Sequence, residues 1–402
     1  MANNQKNYDF HKESHTEPLE INMGPSHPAT HGTVKFYLTL DGETIKDIDV
    51  EIGYLHRAFE KECELQHWSG IFPYTDRLDY TAGVLNNVGY ALAVEKLIGI
   101  ETPERCKYIR VIASEMGRLS GHYTNLAACA MELGALTAFL YFVEAREYLW
   151  DLIESFCGAR LTHNYIRIGG LTSDLPDEFP ESTEVVFKKN EKLYDDFAKL
   201  LLKNRIFLDR MRDTGGISAE LAKEWGFSGP CLRACGVPFD VRKSEPYLVY
   251  DKLDFEIPIG STGDNFDRFL VRMDEIKQSI RIIRQCLKQI PDGPINVDDP
   301  MWRQPSKDDI NSDMESMIFH FKNVIEGQKV PEGEVYHAIE ACNGELGFYL
   351  VSNGSGSPVK CRVRPPSFPM TSALPIMVKG SLLADLIPTF DMINLIGGEC
   401  DR

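Results

Sequence analysis

The run from Thr102-Pro103 to about Cys157-Gly158 carries helical periodicity with hardly an interruption, and no other stretch limits the possible folds so tightly. Thr102 is a capping residue and Pro103 suits the first helical position. A single helix of that length is untypical, and Gly117, Gly121 and Gly134 mark breaks or close packing. Within the run, "LAACAMELGALTAFLYFVEA" is the longest apolar stretch of the chain, interrupted by Glu132. That interruption favours a buried helix over a membrane span. Burying such a run takes a large core. A chain of 402 residues can build one, as one big domain or as two or three smaller ones.

Helical periodicity also fills "TDRLDYTAGVLNNVGYALAVEKLIGI", with Thr75 as its N-cap, residues 182–211, and "DNFDRFLVRMDEIKQSIRIIRQCLKQI". "GGISAELAKEWGFSGP" reads as a short helix between glycines, and a further helix lies near 371–386. Strand signals sit at the two ends. "VKFYLTL" (34–40) and "TIKDIDVEI" (44–52) alternate apolar and polar around "DGE", a hairpin signature. "EVYHAIEAC" and "ELGFYLVS" flank Asn343-Gly344, a strong hairpin turn, and "KCRVRPPSF" adds a short strand. Residues 291–312, rich in Pro and Asp, read as a loop. The fold class is α+β: a long-helix bundle with β-rich N- and C-terminal segments. Four segments are expected to form one structural unit. They are a flexible or partner-bound arm (1–17), a β-rich segment (18–72), a helical core (73–330) and a C-terminal α/β segment (331–402).

A net charge of −17 argues against nucleic acid and against docking on anionic lipid by a general basic surface. None of the ten cysteines forms a C-x-x-C pair, and Cys231 with Cys235 is weak as a metal motif. Scattered cysteines read as buried thiols in a reducing compartment. The N-terminal residues lack the apolar core of a signal peptide, so a soluble cytoplasmic chain is expected, reaching a membrane only through partners.

No P-loop, no GxGxxG after a strand, no HExxH and no GxSxG is present. "GPSHPATHG" stands out instead. His27 and His31 are four residues apart, but Pro25, Pro28, Gly24 and Gly32 make the stretch a rigid loop rather than a helix. Tyr80 lies on the expected helix after Thr75, with Arg77 three residues earlier on the same face. Its hydroxyl can donate and accept, although a Tyr there also suits the core with its hydroxyl at the rim. Glu132, among apolar neighbours, is either paired, protonated through a raised pKa, or on a solvated face. "GYLHRAFEK" offers His56 and Arg57, and "HNYIRIGG" offers His163 and Arg167; a charged rim and a helix-end turn are their plain alternatives.

Taken in order, "GPSHPATHG", "IGYLHRAFEK", "RLDY", "YALAVEKLIGI", "HNYIRIGG", "LRACGVPFDVRK", "DRFLVRMDEI", "GEVYHAIEACNGELGFYLVS" and "RVRPPSF" resemble the 49-kDa subunit of respiratory complex I, the D-type subunit of NADH:quinone oxidoreductase. The resemblance runs from about Pro18 to Arg402. That family is similar to the large subunit of nickel–iron hydrogenases, which holds its metal with two C-x-x-C motifs. This chain has neither, so no metal is expected.

The resemblance implies a subunit of the proton-translocating oxidoreductase that forms the quinone-reduction site in an old metal cavity. His31 and Tyr80 match the residues that hold the two ends of the quinone headgroup (menaquinone or ubiquinone), and His27 is a neighbour with a weaker claim. An imidazole can give up a proton and be recharged, and a phenol stays protonated as a donor. Glu132 falls where the family carries an acid, usually Asp, paired to that His. Arg57 and Arg77 match arginines near the terminal iron–sulfur cluster, which belongs to an adjacent small subunit. "NYIRIGG" is often preceded in the family by two histidines; here Thr162 replaces the first and His163 remains. The replacement implies a cluster of lower potential with weaker pH coupling, in keeping with a low-potential quinone such as menaquinone.

The resemblance further implies that NADH binds at a distant subunit. The implied partners are the cluster-bearing small subunit, a 30-kDa-type subunit and the membrane quinone-channel subunit, on the cytoplasmic side of a bacterial inner membrane, with no nucleic acid involved. Two rivals remain: a different enzyme on the same scaffold, either a membrane-bound hydrogenase, against which the absent cysteine pairs weigh, or the equivalent subunit of a complex fed by F420H2 or ferredoxin; and a non-catalytic scaffold.

Overall fold

The computed structural model describes residues 18–303 and 305–402; the arm expected over residues 1–17 lies outside them. Three antiparallel strands open the chain: β1 (Leu19–Met23), β2 (Lys35–Asp41) and β3 (Thr44–Glu51). The alternation read in the sequence is the pleat of β2 and β3, and it buries Phe36, Leu38, Leu40, Ile45 and Ile48. β1 is an addition to the expected hairpin; its short, mostly exposed residues carry little pattern. The buried face packs on two helices from the far end of the chain, Ser367–Val378 and Leu383–Ile393, with Phe36 edge-on to Phe390 at 5.4 Å. Ile45 and Ser381 also share a backbone hydrogen bond of 2.9 Å, so both termini belong to one layer. Each large apolar side chain buried there contributes about 1.5–3 kcal/mol.

The long run is two helices, Glu104–Glu132 and Leu136–Cys157. The break falls at Gly134, in the left-handed region at φ +82°. Gly117 and Gly121 lie inside the first helix, which they do not break. At Gly121 no Cβ fits against the Cys342 thiol, so close packing is the reason for a glycine there. This central helix, Glu104–Glu132, is buried over most of its length. It packs against Leu136–Cys157, Asn265–Gln289 and Leu383–Ile393.

Other expectations need correction. The helix placed from Thr75 begins at Gly83 and ends at Ile98; residues 76–82 are an irregular turn. The run at 182–211 is two helices, Phe179–Leu201 and Arg205–Met211. The helix near 371–386 is likewise the two C-terminal helices already named, separated at residues 379–382. The loop at 291–312 ends in a short helix, Lys307–Ser312, capped reciprocally by Ser306 and Asp309. "HNYIRIGG" is a small hairpin of β4 (Ile166–Arg167) and β5 (Gly170–Leu171). The C-terminal sheet is as expected, with antiparallel β6 (Gly333–Glu340), β7 (Glu345–Ser352) and β8 (Lys360–Arg364). It covers the Gly83–Ile98 helix, where Gly89 meets Ile339 and Phe348. Among the described residues no helix is long and apolar enough to cross a membrane. All ten cysteines are free thiols and nine are buried.

Candidate functional site

The two-histidine loop joins β1 to β2. Pro28–Thr30 make one tight 3₁₀ turn, which His27 caps by accepting the Ala29 N–H at Nδ1, 3.2 Å. The Thr30 hydroxyl donates to the carbonyls of Pro25 and His27 at 3.1 and 2.9 Å. His31 closes the turn in the left-handed region at φ 52°, unusual for a side chain larger than Gly. Gly24 (φ +92°) is needed here because any Cβ would run into the carbonyl of Val34. The outcome is a fixed loop with an exposed imidazole at its end.

Tyr80 sits in the turn at 76–82, not on a helix, so the shared helical face with Arg77 does not exist. The turn is pinned from inside. Asn87 accepts from Thr75 Oγ1 at 2.5 Å and donates through Nδ2 to Asp76 and to the carbonyl of His163. Asp79 Oδ1 accepts from the N–H and hydroxyl of Thr81 at 2.9 and 2.6 Å. Gly398 packs so closely on the carbonyls of Arg77 and Leu78 that no Cβ fits. Burial pushes the Tyr80 hydroxyl pKa up, and the neighbouring Asp79 and Glu399 add to it. Tyr80 is therefore a neutral donor throughout the physiological range.

His31 and Tyr80 line one cleft. Thr124, Asn125 and Ala128 of the central helix form its floor, and Asp391 and Asn394 enter from the C-terminal helix and its end. The space is small, about 80 Å³, against several hundred for a pocket that engulfs its ligand. Glu132 is the last residue of the central helix, one turn beyond Ala128, and is half-buried. No hydrogen bond or ion pair joins it to His31 among the described residues. Its charge acts instead on Asp391, whose carboxyl is pushed well above the usual carboxylate range, first by burial and then by Glu132. Sequence reasoning missed Asp391 and Asn125.

A second group lies around the turn before Tyr80. The Asp401 carboxylate accepts the N–H groups of Gly53 and Leu55 at 2.9 Å each, which fixes the segment leading to Arg57. Arg57 Nη2 donates to the carbonyl of Arg77 at 2.9 Å, and Arg77 donates to that of Pro73. Neither guanidinium has a carboxylate ion pair among the described residues. Burial, and then Arg77, lower the pKa of Arg57. Thr162 is half-buried at φ 55°. His163 is buried, with Nε2 on the Arg160 carbonyl at 3.0 Å, and burial lowers its pKa. Asn87 thus ties the His163 hairpin to the Arg77 turn.

Beneath the cleft runs a buried ion network with no sequence motif to announce it. Arg233 donates to Glu275 at 2.5 and 2.9 Å and to Glu340 at 2.7 Å. Glu275 also bonds His122 at 2.8 Å, and the other ring nitrogen of His122 lies 3.5 Å from the Cys342 thiol. Glu115 gathers Arg118, Arg242, Tyr250 and Ser279. Surrounding cations hold Glu115 down at about 2 despite its burial. Charges so deep persist only because they are paired.

A larger groove of about 680 Å³ lies between Phe179–Leu201 and Asn265–Gln289. Three of its cations are already engaged, Arg284 with Glu184 and Glu191, Arg281 with Asp254 and Lys277 with Asp274. Among the described residues no group of three or more His, Cys, Asp or Glu could hold a metal ion.

Fold and cleft together define an α+β protein with a small, open, hydrogen-bonding site walled by one His and one neutral Tyr. Residues 132–402 match the family described as "Respiratory-chain NADH dehydrogenase, 49 Kd subunit". The chain is 55% identical over 384 residues to a D-type subunit of NADH-quinone oxidoreductase from Anaeromyxobacter dehalogenans, covering 96% of this chain and 89% of that protein. It is 53% identical to the like-named protein of Sorangium cellulosum, covering 96% of each chain. It is also 46% identical to a C/D-type subunit of NADH-quinone oxidoreductase from Bdellovibrio bacteriovorus, covering 96% of this chain and 69% of that one. The chain belongs to the 49-kDa (D-type) subunit family of NADH-quinone oxidoreductase, complex I, and is thus a subunit of an oxidoreductase complex.

Proposed function

We propose that the cleft between His31 and Tyr80 holds the quinone headgroup, each side chain facing one of its carbonyl oxygens. The observation that carries this reading is their convergence on one cleft from separate, rigidly built segments. Reduction to quinol takes two electrons and two protons. Tyr80 supplies a hydrogen bond to one oxygen, and His31, exposed and rechargeable from solvent, supplies a proton at the other. A pre-built loop and turn keep reorganisation small as charge develops. His27 organises the loop by capping its turn. Glu132 acts through Asp391 rather than through a direct bond to His31.

The cleft is too small to enclose a headgroup, which supports a site finished by a neighbouring subunit. Arg57 and Arg77, which have no carboxylate ion pair among the described residues, suit a surface facing an iron–sulfur cluster in that neighbour, where positive charge stabilises the reduced state. Thr162 and His163 stand on the same side, tied to the Arg77 turn through Asn87. With Thr162 in place of a titratable ring, the cluster's potential depends weakly on pH. The hydrogenase-like scaffold, with its metal cavity reused for quinone, belongs to the same reading. So do a peripheral seat on the cytoplasmic side of the membrane, a membrane subunit that feeds quinone to the cleft, and NADH oxidation elsewhere in the complex. The Bdellovibrio relative, named as a C/D-type subunit, supports a C-type partner of the 30-kDa kind in direct contact with this chain.

The test is NADH-driven quinone reduction by the purified complex, wild type against Tyr80→Phe. A large loss, with NADH oxidation by an artificial acceptor unchanged, is expected. An unchanged rate would mean that the headgroup is held elsewhere.

A further inference from the structure

Asp391 is 5% exposed, yet it lines the same cleft as His31 and Tyr80. Its carboxyl makes no hydrogen bond and no ion pair among the described residues, and Oδ2 is fully buried without a partner. Its backbone carbonyl, by contrast, is satisfied twice, by Asn125 Nδ2 at 2.7 Å and by the Asn394 N–H at 3.0 Å. The backbone is therefore anchored, while the acid of this cleft-lining residue has no partner among the described residues. An ionised carboxylate in that position would be very costly. Burial and the nearby Glu132 both favour the protonated form. A protonated carboxyl is a donor, and what it lacks here is an acceptor.

A quinone carries acceptors: each carbonyl oxygen has two lone pairs, and His31 and Tyr80 address one donor to each. We propose that Asp391 is a third headgroup contact, a neutral carboxyl whose O–H donates a hydrogen bond to a quinone carbonyl oxygen. This rests on the quinone reading of the cleft and assigns that site a further residue. The geometry also sets what each replacement does. Asn is neutral and keeps a donor of similar shape, whereas Leu removes the donor. Because the carboxyl satisfies no group among the described residues, Leu removes an unpaired buried polar group and leaves folding intact.

The experiment compares Asp391→Asn, Asp391→Leu and Tyr80→Phe in the purified complex. It measures KM and kcat for a short-chain quinone, and NADH oxidation by an artificial acceptor. Asp391→Leu is expected to raise the quinone KM about tenfold with the artificial-acceptor rate unchanged, and Asp391→Asn to stay within about threefold of wild type. A wild-type KM in Asp391→Leu beside an impaired Tyr80→Phe would overturn the contact and leave the quinone reading standing. Equal damage from Asn and Leu would overturn the neutral donor. If Tyr80→Phe is also unimpaired, both readings fall.

A second measurement needs no intact Leu variant. Quinone binding to the wild-type complex should shift a protonated-carboxyl stretching band in the infrared difference spectrum, and the shift should vanish in Asp391→Asn. A spectrum without that band would overturn the proposal.

Discussion

Arg57 Nη2 donates a 2.9 Å hydrogen bond to the backbone carbonyl of Arg77, whose own like charge lowers the Arg57 pKa, and neither guanidinium has a carboxylate ion pair among the described residues. Such a pair is unfavourable alone and becomes favourable beside negative charge. If that charge is a reduced cluster on a neighbouring subunit, Arg57→Gln lowers its midpoint potential by several tens of millivolts, and Arg57→Lys restores most of the loss. A redox titration followed by electron paramagnetic resonance reads the shift. An unmoved potential in Arg57→Gln would remove Arg57 from the cluster's surroundings.

Thr162 cannot titrate. The wild-type cluster potential should therefore change little with pH, and Thr162→His should introduce a clear fall of potential as pH rises through the ordinary His range. The same titration at several pH values distinguishes the two. A steep dependence already present in the wild type would sink the reading of Thr162.

Glu399 is fully buried behind Tyr80. Oε2 accepts from Ser367 at 2.5 Å and Oε1 has no partner among the described residues. Burial, then Asp79, push its carboxyl up to about 8, from 4.5 when exposed. The native state thus prefers the protonated acid. Its contribution to stability is complete below about pH 4.5 and is lost as pH rises through about 8. Glu399→Gln cannot ionise, so the heat-inactivation midpoint of the complex should fall less between pH 5 and 8 than in wild type. Parallel curves would contradict the assignment.

Arg233 is the hub of the buried network, bridging Glu275 and Glu340. Arg233→Met leaves two carboxylates in the interior without their cation, and should cost about 3–5 kcal/mol in denaturant unfolding. A loss below about 1 kcal/mol would mean that the network relaxes or takes up protons cheaply.

Features that local chemistry dictates are legible in the sequence. The alternation of residues 34–52, the Asn343-Gly344 turn and the stiffness of the His27–His31 loop are all local, and all appear in the structure. The start of the helix at Gly83 is hidden because Thr75, a good capping residue, uses its hydroxyl on Phe72 and Asn87 instead. Tyr80 and His31 stand out by residue type and resemblance, but nothing local shows that they share a cleft; that follows from the packing of the two ends of the chain. Asp391 is within reach of sequence reasoning, since it stands in an apolar helix just as Glu132 does, and the same logic applied there marks it. The buried network is not, because Arg118, Arg233, Arg242, Glu115, Glu275 and Glu340 look in sequence like ordinary surface charge. Only the fold brings them together.

Photoaffinity labelling of the assembled complex with a short-chain photoreactive quinone tests the central claim most directly. Labelled peptides should contain His31, Tyr80 or residues 390–396, and native quinone should compete the label away. Competable labelling confined to other regions of this chain, or to other subunits, would contradict a headgroup site between His31 and Tyr80.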